Sequence, residues 1–135
     1  MTRIEHKAEL IAVIISRSFK KDGIEFFTPE ELSQQLAYMN RPKGYQIAPH
    51  THNQVERYIV NTLETLFIRS GRVKVDLYDR HQEFVREVVL VEGDIILLVS
   101  GGHGFTMLEQ SEIIEVKQGP FLGADDKIKF RGRNE

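Results

Sequence analysis

From Gly71 to Tyr78 the chain alternates strictly: Val73, Val75 and Leu77 are apolar, while Arg72, Lys74 and Asp76 are charged. Successive side chains of a β-strand point to opposite faces, so this stretch predicts a strand with one face buried and the other wet. Similar pieces recur along the sequence. Leu10-Ile11-Ala12-Val13-Ile14-Ile15 predicts a first strand, followed by a turn at Lys20-Lys21-Asp22-Gly23. Phe84 to Val91 predicts a return strand after a turn at Tyr78-Asp79-Arg80-His81, and Ile95 to Val99 an almost wholly apolar central strand after Glu92-Gly93-Asp94. Phe105 to Leu108 and Ile113 to Val116 are expected to pair across Glu109-Gln110-Ser111-Glu112. The one helical signal is Thr28-Pro29-Glu30-Glu31, a capping residue, a proline at the first helical position and a glutamate three after the cap, which predicts a helix of one or two turns. Arg41-Pro42-Lys43 reads as a hairpin connection between segments 35–40 and 44–49. The expected fold class is all-β, an antiparallel sandwich or barrel with a short N-terminal helix.

The 135 residues, 41% of them apolar, suffice for one core, so a single domain over 1–135 is expected. With a formal charge of -2 there is no basic field for nucleic acid, and Lys127, Lys129, Arg131 and Arg133 read as a solvated edge and tail. The absence of cysteine excludes disulfides, thiolate metal sites and a cysteine nucleophile, and suits a reducing compartment. The run from Leu10 to Ile15 is too short to span a bilayer, and the residues before it are not those of a secretory signal. A cytoplasmic protein without a membrane partner is the expectation. A homodimer is expected too, because an apolar N-terminal strand would otherwise leave an unpaired edge.

The candidate chemistry lies in the histidines. On an extended strand His50 and His52 would share a face, so their imidazoles could converge on one ion. His103 follows an apolar strand and a Gly101-Gly102 turn, and opens the next strand. His6 and His81 read as structural or exposed. Gly101-Gly102-His103-Gly104 is not a phosphate loop, since no Lys-Ser/Thr follows, and no G-x-S-x-G elbow exists for a serine hydrolase.

Gly44, His50, His52, Glu64 and Gly71, followed by Gly93, Gly101, Gly102 and His103, resemble the two motifs of the cupin superfamily over roughly residues 44–117. Three departures stand out. Eleven residues, rather than three or four, separate His52 from Glu64; Val99 stands where proline is usual; and the turn before His103 is one residue short. Glu56 fits the first half of the first motif, whereas Glu64, with Gly71 after it, fits the second half and is taken as the carboxylate. The resemblance implies a jelly-roll barrel, with 1–43 adding edge strands and the small helix, 44–117 as the core and 118–135 as a C-terminal extension. It also implies a metal site of His50, His52, Glu64 and His103. Three imidazoles and a carboxylate suit a divalent transition metal (Fe, Mn, Ni, Cu or Zn), without choosing among them.

Strand parity puts Gln46 on the face of His50 and His52. It puts Gln118 with Ile114 and Val116 at the barrel mouth, with Glu115 and Lys117 pointing outward. Arg57, in the segment between the motif halves, is a candidate for a substrate carboxylate or phosphate. Gln46, Arg57 and Gln118 are therefore the candidate substrate contacts. The expected activity, by analogy, is on a small polar metabolite, a sugar or sugar phosphate, with the metal as Lewis acid. A non-catalytic metal-dependent binding module and an Fe(II) dioxygenase are the contrasting classes.

Overall fold

A computed structural model describes residues 1–133, so the expected C-terminal extension is seen without residues 134 and 135. Among these residues ten strands form: β1 (Thr2–His6), β2 (Glu9–Ile15), β3 (Gly23–Phe26), β4 (Ala37–Asn40), β5 (Glu64–Ser70), β6 (Arg72–Tyr78), β7 (Phe84–Val91), β8 (Ile95–Leu98), β9 (Gly102–Met107) and β10 (Glu112–Lys117). All pairings are antiparallel. The chain divides into two compact units, residues 20–60 and the remainder.

The larger unit holds two sheets, a five-stranded one ordered β1-β2-β8-β5-β10 and a three-stranded one ordered β7-β6-β9. Among the described residues they remain separate sheets and do not close into a barrel. Alternation explains how they stack. Ala12, Leu66, Ile68, Ile96 and Leu98 from the first sheet meet Val73, Val75, Leu77 and Leu90 from the second in one buried cluster. β8, the most apolar run, is flanked by β2 and β5, as its lack of a polar face requires.

Two expectations fail here. The segments 105–108 and 113–116 do not form a hairpin: β9 pairs with β6 and β10 with β5, in different sheets. The intervening loop steps between sheets, and the Ser111 hydroxyl accepts the Arg72 N–H at 3.0 Å to anchor the crossing. The apolar strand expected to be an open edge, β2, is covered by β1. Lys7 and Ala8, both at positive φ (49° and 64°), make the tight β1–β2 turn whose twist matches the strands. The edge argument for a dimer therefore does not apply to β2.

At the end of β6, buried Asp79 organises the next turn. One of its carboxylate oxygens accepts the His81 and Glu83 amides at 2.9 and 3.0 Å, and the other lies 3.2 Å from the Lys7 ammonium. Burial alone would raise the Asp79 pKa, but these donors together lower it, so it stays a carboxylate. Asp94 does the same work at the β7–β8 turn, accepting the Arg17 and Val91 amides, each at 2.9 Å. The C-terminal segment contains a 3₁₀ turn at Gly123–Asp126 and then packs on β6: the Phe130 ring stands edge-on to Tyr78 at 5.1 Å, and the Arg133 guanidinium lies 3.8 Å from the Phe84 ring centre.

In the smaller unit, β3 and β4 form a hairpin with Gly23 opposite Asn40. The helix expected at Thr28 does not form. The Thr28 hydroxyl accepts the Leu36 amide (3.2 Å) instead of an amide in a first helical turn, and the Gln35 side-chain amide donates to the Pro29 and Leu32 carbonyls, both at 2.9 Å. The segment closes as a loop between the two strands. Residues 41–63 form no strand, so the expected strand carrying His50 and His52 is also absent. Pro42 and Pro49 lack the amide a ladder needs. Among the described residues no helix is long and apolar enough to cross a membrane.

Candidate metal centre

Glu64 opens β5 and shares the inward face of Leu66 and Ile68, because residues two apart on a strand line one face. His103, second in β9, is opposite core residue Leu77 and so faces inward from the other sheet. The two side chains meet across the interior, His103 Nε2 to Glu64 Oε2 at 3.0 Å. The Phe105 ring, next along the inward face of β9, is centred 5.2 Å from the imidazole. One end of the sandwich interior is thus polar while its middle is hydrocarbon.

The turn that delivers His103 depends on Gly101, at φ 73°, where a Cβ would lie 2.1 Å from the Tyr78 carbonyl oxygen. No side chain fits there. At Gly102 a Cβ would fall 2.8 Å from the Phe130 ring, so the C-terminal segment packs directly behind the histidine.

On β10 the register reverses the expected faces. Lys117 is directly opposite Glu64 and Ile113 opposite Ile68, so Ile113, Glu115 and Lys117 face inward. Ile114 and Val116, expected inward, are half exposed on the outer face. The parity reading failed because β10 is an edge strand, where inward-pointing charges are tolerated at the open rim and discourage edge-to-edge pairing. The parity that grouped Gln118 with Ile114 and Val116 therefore no longer places it at an inner mouth; its backbone amide donates to the Leu63 carbonyl at 2.9 Å. Lys117 is the residue sequence reasoning missed. Pairing β10 with β5 instead of β9 would have found it.

Glu64 titrates below the ordinary 4.5, chiefly through its hydrogen bond with His103; partial burial opposes this, and the charges of His103, Lys117 and Lys127 reinforce it. A carboxyl lowered in the folded state stabilises the fold above its unfolded pKa and loses that contribution as pH falls through the folded value. Chelator-treated wild type is therefore expected to lose stability more steeply below about pH 4.5 than Glu64→Gln. Parallel acid arms in urea titrations of the two proteins would contradict this.

In the smaller unit His50 and His52 are exposed, and their rings meet edge-to-face with centroids 5.3 Å apart. His50 Nδ1 lies 2.9 Å from the Ala48 carbonyl oxygen. A carbonyl only accepts, so Nδ1 carries the proton and the Nε2 lone pair of the neutral ring is available to a metal. Gln46 and Glu56 are exposed in the same strandless stretch, and the Arg57 guanidinium donates to the Val55 carbonyl at 3.2 Å. The structure thus brings Glu64 and His103 together in one unit, and His50 and His52 in the other.

The chain matches no family model, no curated protein and no solved structure. Among the described residues no group of three or more His, Asp or Glu side chains is gathered closely enough to hold a metal ion. At 3.0 Å the Glu64 and His103 atoms are within hydrogen-bond distance of each other.

Proposed function

We propose that the protein is a metal-binding cupin in which Glu64 and His103 hold a divalent transition metal. The observation that carries this reading is the meeting of Glu64 and His103 across the two sheets at 3.0 Å, two side chains that can each donate to a metal, at the polar end of an otherwise apolar sandwich. The winding of the strands supports it as well. The β6–β7 hairpin lies within the β5–β8 pairing, and β9 and β10 return to β6 and β5, as when a long hairpin rolls over on itself into a jelly roll.

The ion would supply Lewis acidity toward a carbonyl or hydroxyl oxygen of a small polar metabolite, a sugar or sugar phosphate in our reading. The protein's own groups do the rest. Phe105 presents an apolar wall beside His103.

The test is a thermal-shift panel of sugar phosphates, free sugars and small carboxylic acids on metal-loaded and chelator-stripped protein, followed by incubation of each stabilising compound while product and oxygen are monitored. Compounds that raise the melting temperature only of loaded protein are expected. Isomerised product would mark a sugar enzyme, oxygen uptake an Fe(II) dioxygenase, and stabilisation without turnover a binding module. No metal-dependent shift across the panel would sink the ligand reading.

A further inference from the structure

Lys117 has an unusual position for a strand lysine. It points inward from β10, directly across from Glu64, and its side chain is about a quarter exposed. Taking an ammonium off the open surface costs solvation that only good partners return. It forms ion pairs with Asp126, whose Oδ2 is 3.6 Å from the ammonium, and with Glu115, whose Oε1 is 3.8 Å away, both longer than a hydrogen bond. The Phe121 ring centre lies 5.5 Å away and contributes attraction but no acceptor. These groups orient the lysine while its N–H donors remain free for an acceptor. Glu64, opposite it, interacts with the ammonium through its charge.

We propose that Lys117 recognises an oxyanion of the ligand, a carboxylate or phosphate on a small molecule held against the Glu64–His103 pair. This rests on the reading of that pair as the ligand site. Lys117 supplies a compact charge with several donors, suited to oxygens whose exact placement varies between carboxylate and phosphate. The alternative is that the lysine only guards an edge strand against pairing with other chains.

The experiment uses full-length protein, both metal-loaded and chelator-treated, titrated with inorganic phosphate and separately with malonate. Dissociation constants come from calorimetry, and ¹H–¹⁵N spectra report which amides move. Saturable binding of at least one probe is expected in wild type, moving the amides of residues 102–105 and 116–118. Lys117→Met is expected to weaken it at least tenfold, and Lys117→Arg, which keeps the charge, to stay within a few-fold. Phosphate alone, malonate alone or both responding identifies the oxyanion. Unchanged binding in Lys117→Met overturns the proposal, as does greater aggregation of that variant with probe affinity intact, or the absence of saturable binding in wild type. Metal content of the same samples is read independently. Absence of metal from wild type would defeat the metal reading of the Glu64–His103 pair, while the chelator-treated arm still decides the role of Lys117.

Discussion

Protein purified without chelator is expected to carry one transition-metal ion per chain, and Glu64→Gln and His103→Ala should each lower the occupancy by roughly tenfold or more, because each removes a donor and not merely a neighbour of one, while His50→Ala and His52→Ala test the two histidines that motif spacing adds. Glu64→Gln is the sharpest of these. It keeps the shape of the side chain and a hydrogen-bond acceptor for His103 while removing the anionic oxygen a divalent ion needs. Glu56→Gln is the matched comparison and should retain metal, since Glu56 is exposed in the strandless stretch of the other unit. Elemental analysis of the five variants decides. Full occupancy in His50→Ala would remove that residue from the centre, and loss in Glu56→Gln with retention in Glu64→Gln would move the carboxylate to residue 56.

Gly101→Ala is expected to destabilise the fold by about 2–4 kcal/mol, made up of about 1–2 kcal/mol for a side chain in the left-handed region and the remainder for displacing backbone. The Tyr78 carbonyl oxygen, 2.1 Å from the new Cβ, has no room to yield without moving the end of β6. Gly104→Ala, three residues on, meets nothing within 4 Å and should change stability by no more than about 0.5 kcal/mol. Urea denaturation of both variants is the measurement. Equal midpoints would mean that the turn before His103 is not rigid, and its role in delivering the imidazole would fall with it.

How far the sequence discloses this protein follows from which patterns are local. The β6 alternation was legible because its two faces meet different media, and Val73, Val75 and Leu77 are fully buried as expected. β2, β7 and β8 were legible as apolar or β-branched runs bounded by turns. Partnership was not. Neighbouring strands pair by default, and nothing within residues 105–117 announces that β9 and β10 belong to different sheets. That single error reversed the faces of β10 and hid Lys117. The helix signal at Thr28 was real as a capping pattern but lost to Gln35, a side chain seven residues away that takes the carbonyls as acceptors. Of the candidate site, motif spacing named Glu64 and His103, which the structure brings within 3.0 Å, and His50 and His52, whose expected strand does not form.

The pairing of β2 with β8 sets the order in which the molecule can be assembled. Ala12 finds Leu98 and Ile15 finds Ile95, so the N-terminal hairpin leaves the ribosome long before its partner strand exists. Until then one flank of β2 is open, with Ile11 and Val13 waiting for a neighbour. Such non-local closure is slow and leaves apolar strand surface exposed meanwhile. Yield during synthesis should therefore respond to whatever shields that hairpin, such as a chaperone or a lower temperature, more than to changes in the finished protein's stability.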